Sequence, residues 1–174
     1  MLVLIVASWF FFAPQATAAK SKSHDNEVKF RRIDRHTDPA ITQFADTFMR
    51  KVIRDDDPVF PPWYEEEGAK AKPIELIRYL EADLNDDGVS ELILQLAMGY
   101  YCGTAGCESY VFRRTAAGFE EICNDTMYDS AIKILPQKEN SYHLIDVGES
   151  TIHWLDRPDR RGDICTDEGK PGYQ

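Results

Sequence analysis

The sequence predicts an α+β domain, in which an N-terminal amphipathic helix packs on a mostly antiparallel meander sheet of five to seven strands. Two observations predict this class. Apolar residues recur at helical spacing over residues 39–54, which is typical of a helix with one buried face. From Pro73 onward, short strand-like segments alternate with turn signals, which is typical of successive β-hairpins.

The predicted helix has a clear start. Asp38 is a favourable N-cap residue, and Pro39 is favourable at the first helical position. The apolar positions that would form its buried face are Ile41, Phe44, Ala45, Phe48, Met49, Val52 and Ile53. We therefore predict one helix over roughly residues 39–54 with this face on the core.

The predicted strands lie between turn sequences rich in Gly, Asn, Asp and Ser. The clearest hairpin is predicted where the sequence TAAG separates Val111 and Phe112 from Phe119 and Ile122. The strand-like segments cover residues 74–84, 91–98, 109–114, 118–123, 131–136, 141–147 and 151–156.

Composition limits the classes of protein and partner. The chain has 174 residues, 43% of them hydrophobic, and a formal net charge of −10. These values are typical of a globular protein, and the length allows one domain. The negative charge argues against nucleic acid and anionic membrane surfaces as partners, because both attract basic patches. No apolar run reaches the ~20 residues of a membrane-spanning helix, so we expect no membrane span in the mature chain.

The N-terminal segment is typical of a secretory signal. Residues 1–14 form an uncharged apolar run, and small residues follow before Lys20. No Lys or Arg precedes the apolar run, so the positive charge there comes only from the α-amino group. We predict a signal peptide over residues 1–19 and a periplasmic or secreted location. A buried strand or helix of the domain is the alternative.

The rest of the chain is expected to form one domain. Residues 20–37 are polar and lack periodicity, so we predict a polar leader. Residues 38–174 are then a single α+β domain. Its C-terminal tail from Arg157 is also polar and aperiodic, and we expect an irregular loop held only by Cys165.

The cysteines agree with export. Four cysteines in an oxidising compartment predict two disulfides, for which three connectivities exist. We favour Cys102–Cys107, which closes a short loop containing two glycines, and Cys123–Cys165, which ties the tail to the domain. In the cytosol the same residues would be free thiols or zinc ligands, but the chain lacks paired CxxC or HxxxH clusters.

An acidic segment over residues 83–91 carries the strongest chemical signal, with the pattern D-x-N-x-D-G-x-x-E. Calcium takes several hard oxygen ligands from a flexible cage, and alternating oxygen-bearing side chains on a turn supply them. Gly88 permits the necessary bend, and Asp86 is expected to point away. The candidate ligands are Asp83, Asn85, Asp87, the backbone carbonyl of Val89, and Glu91 directly or through water.

This acidic turn is not an EF-hand. The twelfth position, where an EF-hand has Glu, is Leu94, and both flanks are strand-like. We therefore predict a calcium turn between two strands. Magnesium fits less well because it tolerates an irregular cage poorly. The alternative is a hairpin turn rich in Asp, Asn and Gly for conformational reasons alone.

Residues 80–122 also support a resemblance. They combine the acidic turn, an apolar strand, the sequence YYCGTAGC, a second strand, a turn and GFEEIC. This resembles a group of exported, mostly uncharacterised bacterial proteins with an FG-GAP-like D-L-N-G-D-G-x-x-E turn, followed by an aromatic-C-G-x-G-G-C loop. Asp86 and Ala105 stand where that group has Gly. The resemblance implies export and a non-enzymatic character.

No catalytic motif favours an enzyme. The patterns HExxH, GxSxG and GxxxxGK[ST] are absent from the sequence, and no Cys–His nucleophile motif is recognisable. The four histidines, His24, His36, His143 and His153, lie in the polar leader or in candidate strands. We therefore predict that the protein is not an enzyme.

The loop closed by Cys102 and Cys107 is a candidate recognition element. A loop made rigid by a disulfide loses little entropy on binding, and several tyrosines lie beside it. The alternative is that the disulfide only stabilises a long hairpin connection. The candidate contact residues are Tyr101, Gly103, Thr104, Ala105, Gly106, Glu108 and Ser109.

Together these features predict an exported, non-enzymatic binding protein with a protein partner in the cell envelope. One alternative is an inhibitor or immunity protein that inserts the 102–109 loop into the active site of a secreted or injected cell-wall hydrolase. Such hydrolases tend to be basic, so opposite charge would attract them. Another alternative is an envelope protein in which calcium only orders the sheet.

Overall fold

The computed structural model describes residues 27–55 and 73–97, and residues 99–169 apart from 100, 105, 128–130, 149, 157 and 159–163. The predicted signal peptide over residues 1–19 lies outside the described residues, as does Ala105.

The described strands form two antiparallel sheets, numbered here in chain order. Sheet A has the strand order β1 (Glu27–Lys29), β8 (Ala131–Glu139), β9 (Tyr142–Asp146), β10 (Ser150–Trp154) and β11 (Cys165–Gly169). Sheet B has the order β2 (Arg31–Arg32), β3 (Ile77–Ala82), β4 (Glu91–Leu96), β6 (Gly106–Thr115) and β5 (Cys102–Gly103), and β7 (Gly118–Met127) also pairs with β6.

The predicted α+β class is wrong, because the described chain is largely all-β. It contains two antiparallel sheets and one α-helix, instead of a single meander of five to seven strands beside a helix. The hairpin with the TAAG turn does form, as β6 and β7 with Thr115 opposite Gly118. The error concerns the partners of the later strands, because a local pattern marks a strand but not the sheet that it joins.

The main hydrophobic core lies between the two sheets. Buried side chains from both sheets form one contiguous cluster, as expected when antiparallel sheets pack face to face. The Ile164 amide also donates a 2.9 Å hydrogen bond to the Ile122 carbonyl, which joins β7 to the start of β11. Members of this cluster include Leu80, Ile93, Val111, Met127, Ile132, Ile145, Ile152 and Trp154.

The helix α1 spans Pro39–Asp55, close to its predicted bounds. Asp38 Oδ1 accepts a 2.8 Å hydrogen bond from the Ala40 amide, which is the predicted N-cap. A short 3₁₀ helix, Pro73–Leu76, precedes β3. No helix among the described residues is long and apolar enough to cross a membrane.

The helix covers the face of sheet B that points away from sheet A. Phe48 makes edge contacts with Tyr110 and Phe112, with ring centroids 4.7 and 5.2 Å apart. Ile41 and Met49 are fully buried in the same cluster. Strand β4 therefore has neighbours on both faces, and all six of its residues are buried.

Two segments that were expected to be irregular contain strands. Within the predicted polar leader, β1 pairs with β8 and β2 pairs with β3. Within the predicted irregular tail, β11 pairs with β10 along its whole length, from Ser150 opposite Gly169 to Trp154 opposite Cys165. These segments lack a strand-like apolar pattern. They form strands because they pair with neighbouring strands, which the local sequence does not show.

Candidate functional site

The acidic turn connects β3 to β4, so it lies between two strands as predicted. Ala82 and Glu91 are directly opposite at the end of the pair where the turn begins, and the residues between them form the turn. Gly88 has a φ of 84°, a left-handed conformation that glycine adopts readily. The predicted bend at this glycine is confirmed.

Three side-chain oxygens accept hydrogen bonds from backbone amides within the turn. Asp83 Oδ2 accepts a 2.9 Å hydrogen bond from the Gly88 amide. Asn85 Oδ1 accepts one of 2.9 Å from the Asp87 amide, and Asp87 Oδ1 accepts one of 2.7 Å from the Val89 amide. Asp and Asn residues commonly stabilise turns in this way, so these bonds account for part of the sequence pattern without a ligand.

Glu91 lies at the closed base of the turn and is only 1% exposed. Its Oε2 accepts a 2.8 Å hydrogen bond from the Leu84 amide, and its Oε1 accepts one of 3.2 Å from Asn85 Nδ2. Burial raises the pKa of the Glu91 carboxyl, and the negative charges of Asp87 and Asp83 contribute to the rise. The turn therefore holds a buried carboxyl beside two other acidic groups.

One oxygen in the turn has no partner. Asp83 Oδ1 is buried and makes no hydrogen bond. A buried carboxylate oxygen without a donor is costly, and it is the type of atom that a hard cation binds. The donor chemistry of the turn therefore fits calcium.

The present arrangement of the turn does not surround a single point with acidic oxygens. Among the residues that the structure describes, no group of three or more His, Cys, Asp or Glu side chains is placed to hold a metal ion. Asn85 Nδ2 instead donates to both Asp87 Oδ2, at 3.1 Å, and Glu91 Oε1, at 3.2 Å. A cation at the turn would compete with this amide nitrogen for the two carboxylates.

Asp86 points away from the other acidic side chains, as predicted. Its carboxylate forms an ion pair with Lys138, and its Oδ1 lies 3.2 Å from Nε2 of His143. Hydrogen bonds from Lys138 and His143 hold the pKa of Asp86 below its usual value. Its φ of 62° is left-handed, which Asp tolerates better than most residues.

These contacts attach the turn to the β8–β9 hairpin of sheet A. The His143 amide donates a 2.6 Å hydrogen bond to the Leu84 carbonyl, and Lys138 Nζ donates one of 3.2 Å to the Asn85 carbonyl. Sequence reasoning missed both residues as parts of this site. They lie 53 and 57 positions from their partners Asn85 and Asp86, so no local pattern could have found them.

The predicted pairing of all four cysteines is confirmed. Cys102 and Cys107 are directly opposite on β5 and β6, with Cα atoms 3.9 Å apart. Cys123 and Cys165 link β7 to β11 and are 0% and 2% exposed within the inter-sheet core. We call residues 102–107 the stapled loop. The two disulfides are consistent with an exported protein.

The structure divides the predicted contact residues into an exposed tip and a buried base. Gly103 and Thr104 are exposed, and Ala105 lies outside the described residues. Tyr101 and Ser109 are 7% and 0% exposed, so they support the loop from inside instead of offering their side chains to a partner. Of the others, Gly106 is also buried, and the partly buried Glu108 accepts a hydrogen bond from the Tyr110 hydroxyl.

Comparison of the chain with protein-family models, with curated proteins and with solved structures finds no match. What the protein does is therefore inferred from the acidic turn and the stapled loop.

Proposed function

We propose that the protein is an exported, non-enzymatic binding protein whose stapled loop recognises a protein partner in the cell envelope. The observation that carries this proposal is that the stapled loop has an exposed tip and a buried base. A Cβ atom added at Gly103 would meet nothing within 4 Å, so the space around this residue is open. Tyr101 and Cys107 anchor the two sides of the loop in buried positions.

The loop is also rigid at its base. The Glu108 amide donates a 2.8 Å hydrogen bond to the Tyr101 carbonyl, next to the disulfide that joins Cys102 to Cys107. A segment that is already ordered loses little conformational entropy when it binds. This supports a role in recognition beyond the stabilisation of a hairpin connection.

The charge of the chain favours a basic partner. With a formal net charge of −10, it attracts positively charged proteins over long range. The second candidate function is therefore inhibition of, or immunity against, a basic cell-wall hydrolase by insertion of the 102–109 loop into its active site. The open space around Gly103 favours insertion, since a Cβ atom added there would meet nothing within 4 Å.

We further propose that the acidic turn binds calcium. The ligands would be the oxygens of Asp83, Asn85, Asp87 and Glu91 and the backbone carbonyl of Val89. The unpartnered, buried Asp83 Oδ1 supports this proposal, as does the crowding of three acidic groups around the turn. The ion would stabilise the connection between β3 and β4 and leave the stapled loop free to bind.

Site-specific cross-linking tests the recognition role. A photoreactive residue at position 104 should capture a discrete partner in envelope preparations, and Gly103→Arg in the same chain should abolish the product. Position 117, exposed in the β6–β7 turn, serves as the matched control. Equal capture from positions 104 and 117 would show that the tip is not a recognition element.

An enzyme assay tests the inhibitor alternative. The purified protein is added to a basic muramidase, and the rate of peptidoglycan hydrolysis is measured. Inhibition that Thr104→Arg relieves and Ala117→Arg does not would support insertion of the loop. An unchanged rate of hydrolysis at equimolar and higher ratios of the protein would count against it.

Thermal melts in calcium and in a chelator test the metal site. A ligand that binds only the folded state raises Tm by mass action. We expect calcium to raise the Tm of the native chain and Asp83→Asn to abolish the rise. Asp146→Asn is the control, because Asp146 makes a similar 2.9 Å bond to the Gly148 amide in another turn. If calcium leaves the Tm of the native chain unchanged, the acidic residues serve the turn alone.

A further inference from the structure

We propose that the Cys102–Cys107 disulfide is a site of thiol–disulfide exchange, and that a low-molecular-weight thiol attacks the Sγ atom of Cys102. This inference goes beyond the proposed binding function and does not depend on it. It rests on the contrast between the two disulfides and on the surroundings of the Cys102 sulfur.

The two disulfides differ in access. Cys102 is partly exposed and lies on β5, a two-residue strand at the edge of sheet B. Its partner Cys107 is 7% exposed, whereas Cys123 and Cys165 are 0% and 2% exposed. Exchange begins when a thiolate approaches a disulfide sulfur, so access decides which bond reacts first. Cys102 is the most accessible of the four cysteines.

The Cys102–Cys107 bond can also open without disrupting the fold. Strand β6 is paired with β4 and with β7 over much of its length, so it does not depend on β5 for its place. The other disulfide joins β7 to β11 inside the inter-sheet core, and a thiol could reach it only if the strands separated. Exchange at Cys102 is therefore a native-state reaction, and exchange at Cys123 requires unfolding.

The protein already holds an acceptor for the reduced form of Cys102. The Sγ atom lies 3.4 Å from the Leu96 carbonyl oxygen, within the range of a sulfur hydrogen bond. A thiol can donate to this oxygen, whereas a disulfide sulfur carries no proton. Reduction thus adds one weak contact at Cys102 when it removes the bond to Cys107.

The reaction balances with two thiols as the reductant. One thiolate attacks Cys102 Sγ, a mixed disulfide forms at Cys102, and Cys107 leaves as a thiolate that takes a proton from water. A second thiolate then attacks the sulfur of the attached thiol, which releases Cys102 and a low-molecular-weight disulfide. Two electrons pass from the two thiols to the protein disulfide. The released loop keeps the pairing of β5 with β6.

Selective reduction of the native full-length chain tests the proposal. The protein is incubated with reduced glutathione, quenched in acid, unfolded and alkylated, and each cysteine is quantified by peptide mass spectrometry. We expect Cys102 and Cys107 to be labelled at least about tenfold faster than Cys123 and Cys165. Labelling of all four cysteines at one rate, or of Cys123 and Cys165 first, would overturn the proposal.

A matched pair of variants tests which sulfur is attacked. Cys107→Ser leaves Cys102 as a free thiol, and Cys102→Ser leaves Cys107. With oxidised glutathione, we expect the mixed disulfide to form about tenfold faster at Cys102, because Cys102 is the more exposed residue. Peptide mapping of the glutathione adduct in the unsubstituted chain makes the same test without a substitution. An adduct on Cys107 would overturn the assignment of Cys102.

Discussion

The Nε2 atom of His143 lies 3.2 Å from Oδ1 of Asp86, and this contact joins the acidic turn of sheet B to the β8–β9 hairpin of sheet A. Nδ1 of the same ring lies 2.7 Å from the Leu135 carbonyl oxygen. Both ring nitrogens therefore face oxygen atoms of neighbouring residues. Lys138 places a positive charge beside Asp86. Lys138 and His143 of sheet A thus attach the acidic turn to the opposite sheet.

The contacts of Asp86 predict a change in acid stability. Lys138 and His143 lower the pKa of Asp86 in the folded chain, so its stabilising effect is present above the unfolded-state pKa and is lost as pH falls through the folded-state pKa. We expect Asp86→Asn to reduce the free energy of unfolding at neutral pH. At a pH low enough to protonate Asp86 in the native chain, the two proteins should have the same free energy of unfolding. Asn also tolerates the left-handed φ of 62°.

Urea unfolding across the acid range measures this effect. Asp156→Asn, which removes another exposed carboxylate, is the control. A deficit in Asp86→Asn that stays constant from neutral to strongly acidic pH would show that the ionised carboxylate is not what stabilises the turn.

Asn85→Asp should separate turn chemistry from calcium binding. The substitution removes the amide that donates to Asp87 and Glu91 and places a further negative charge beside them. In chelator we expect a loss of about 1–3 kcal/mol, because two carboxylates lose a donor. In calcium we expect much of this loss to be recovered, since a carboxylate is the better calcium ligand. Tm values in the two buffers check this, and an equal loss in both would argue for turn chemistry alone.

The helix should contribute strongly to stability because it covers one face of sheet B. Met49 is fully buried against that face. We expect Met49→Ala to lower the free energy of unfolding by about 2–5 kcal/mol, from lost burial and an unfilled cavity. Lys51→Ala, at an exposed position of the same helix, should change it by less than about 0.5 kcal/mol. Denaturant unfolding compares the two, and similar small effects would mean that the helix is not packed as described.

The two disulfides should contribute unequally to stability. They close loops of very different length, with sequence separations of 5 and 42 residues. Chain entropy predicts a loss of about 2 kcal/mol when both Cys102 and Cys107 are replaced by Ala, and of about 4 kcal/mol for Cys123 and Cys165. Denaturant unfolding of the two double variants under non-reducing conditions gives the comparison. Equal or reversed losses would contradict the entropic account.

The sequence alone determined the features whose causes are local. The N-cap at Asp38 and the apolar periodicity after it located α1, and the TAAG turn located the β6–β7 hairpin. The bend at Gly88 followed from residues adjacent in the chain. The short spacing of Cys102 and Cys107 indicated their pairing. Such features depend on interactions within a few residues.

Tertiary structure alone decided which strands share a sheet and which surfaces are buried. The polar segments at β1, β2 and β11 became strands because neighbouring strands offered unpaired backbone groups. Ser109, predicted to contact a partner, became fully buried on β6, where it lies between β4 and β7. Lys138 and His143 reached the acidic turn only through sheet packing. Pairing and packing between distant segments leave no local pattern, since each strand could join several alternative neighbours before the core selects one.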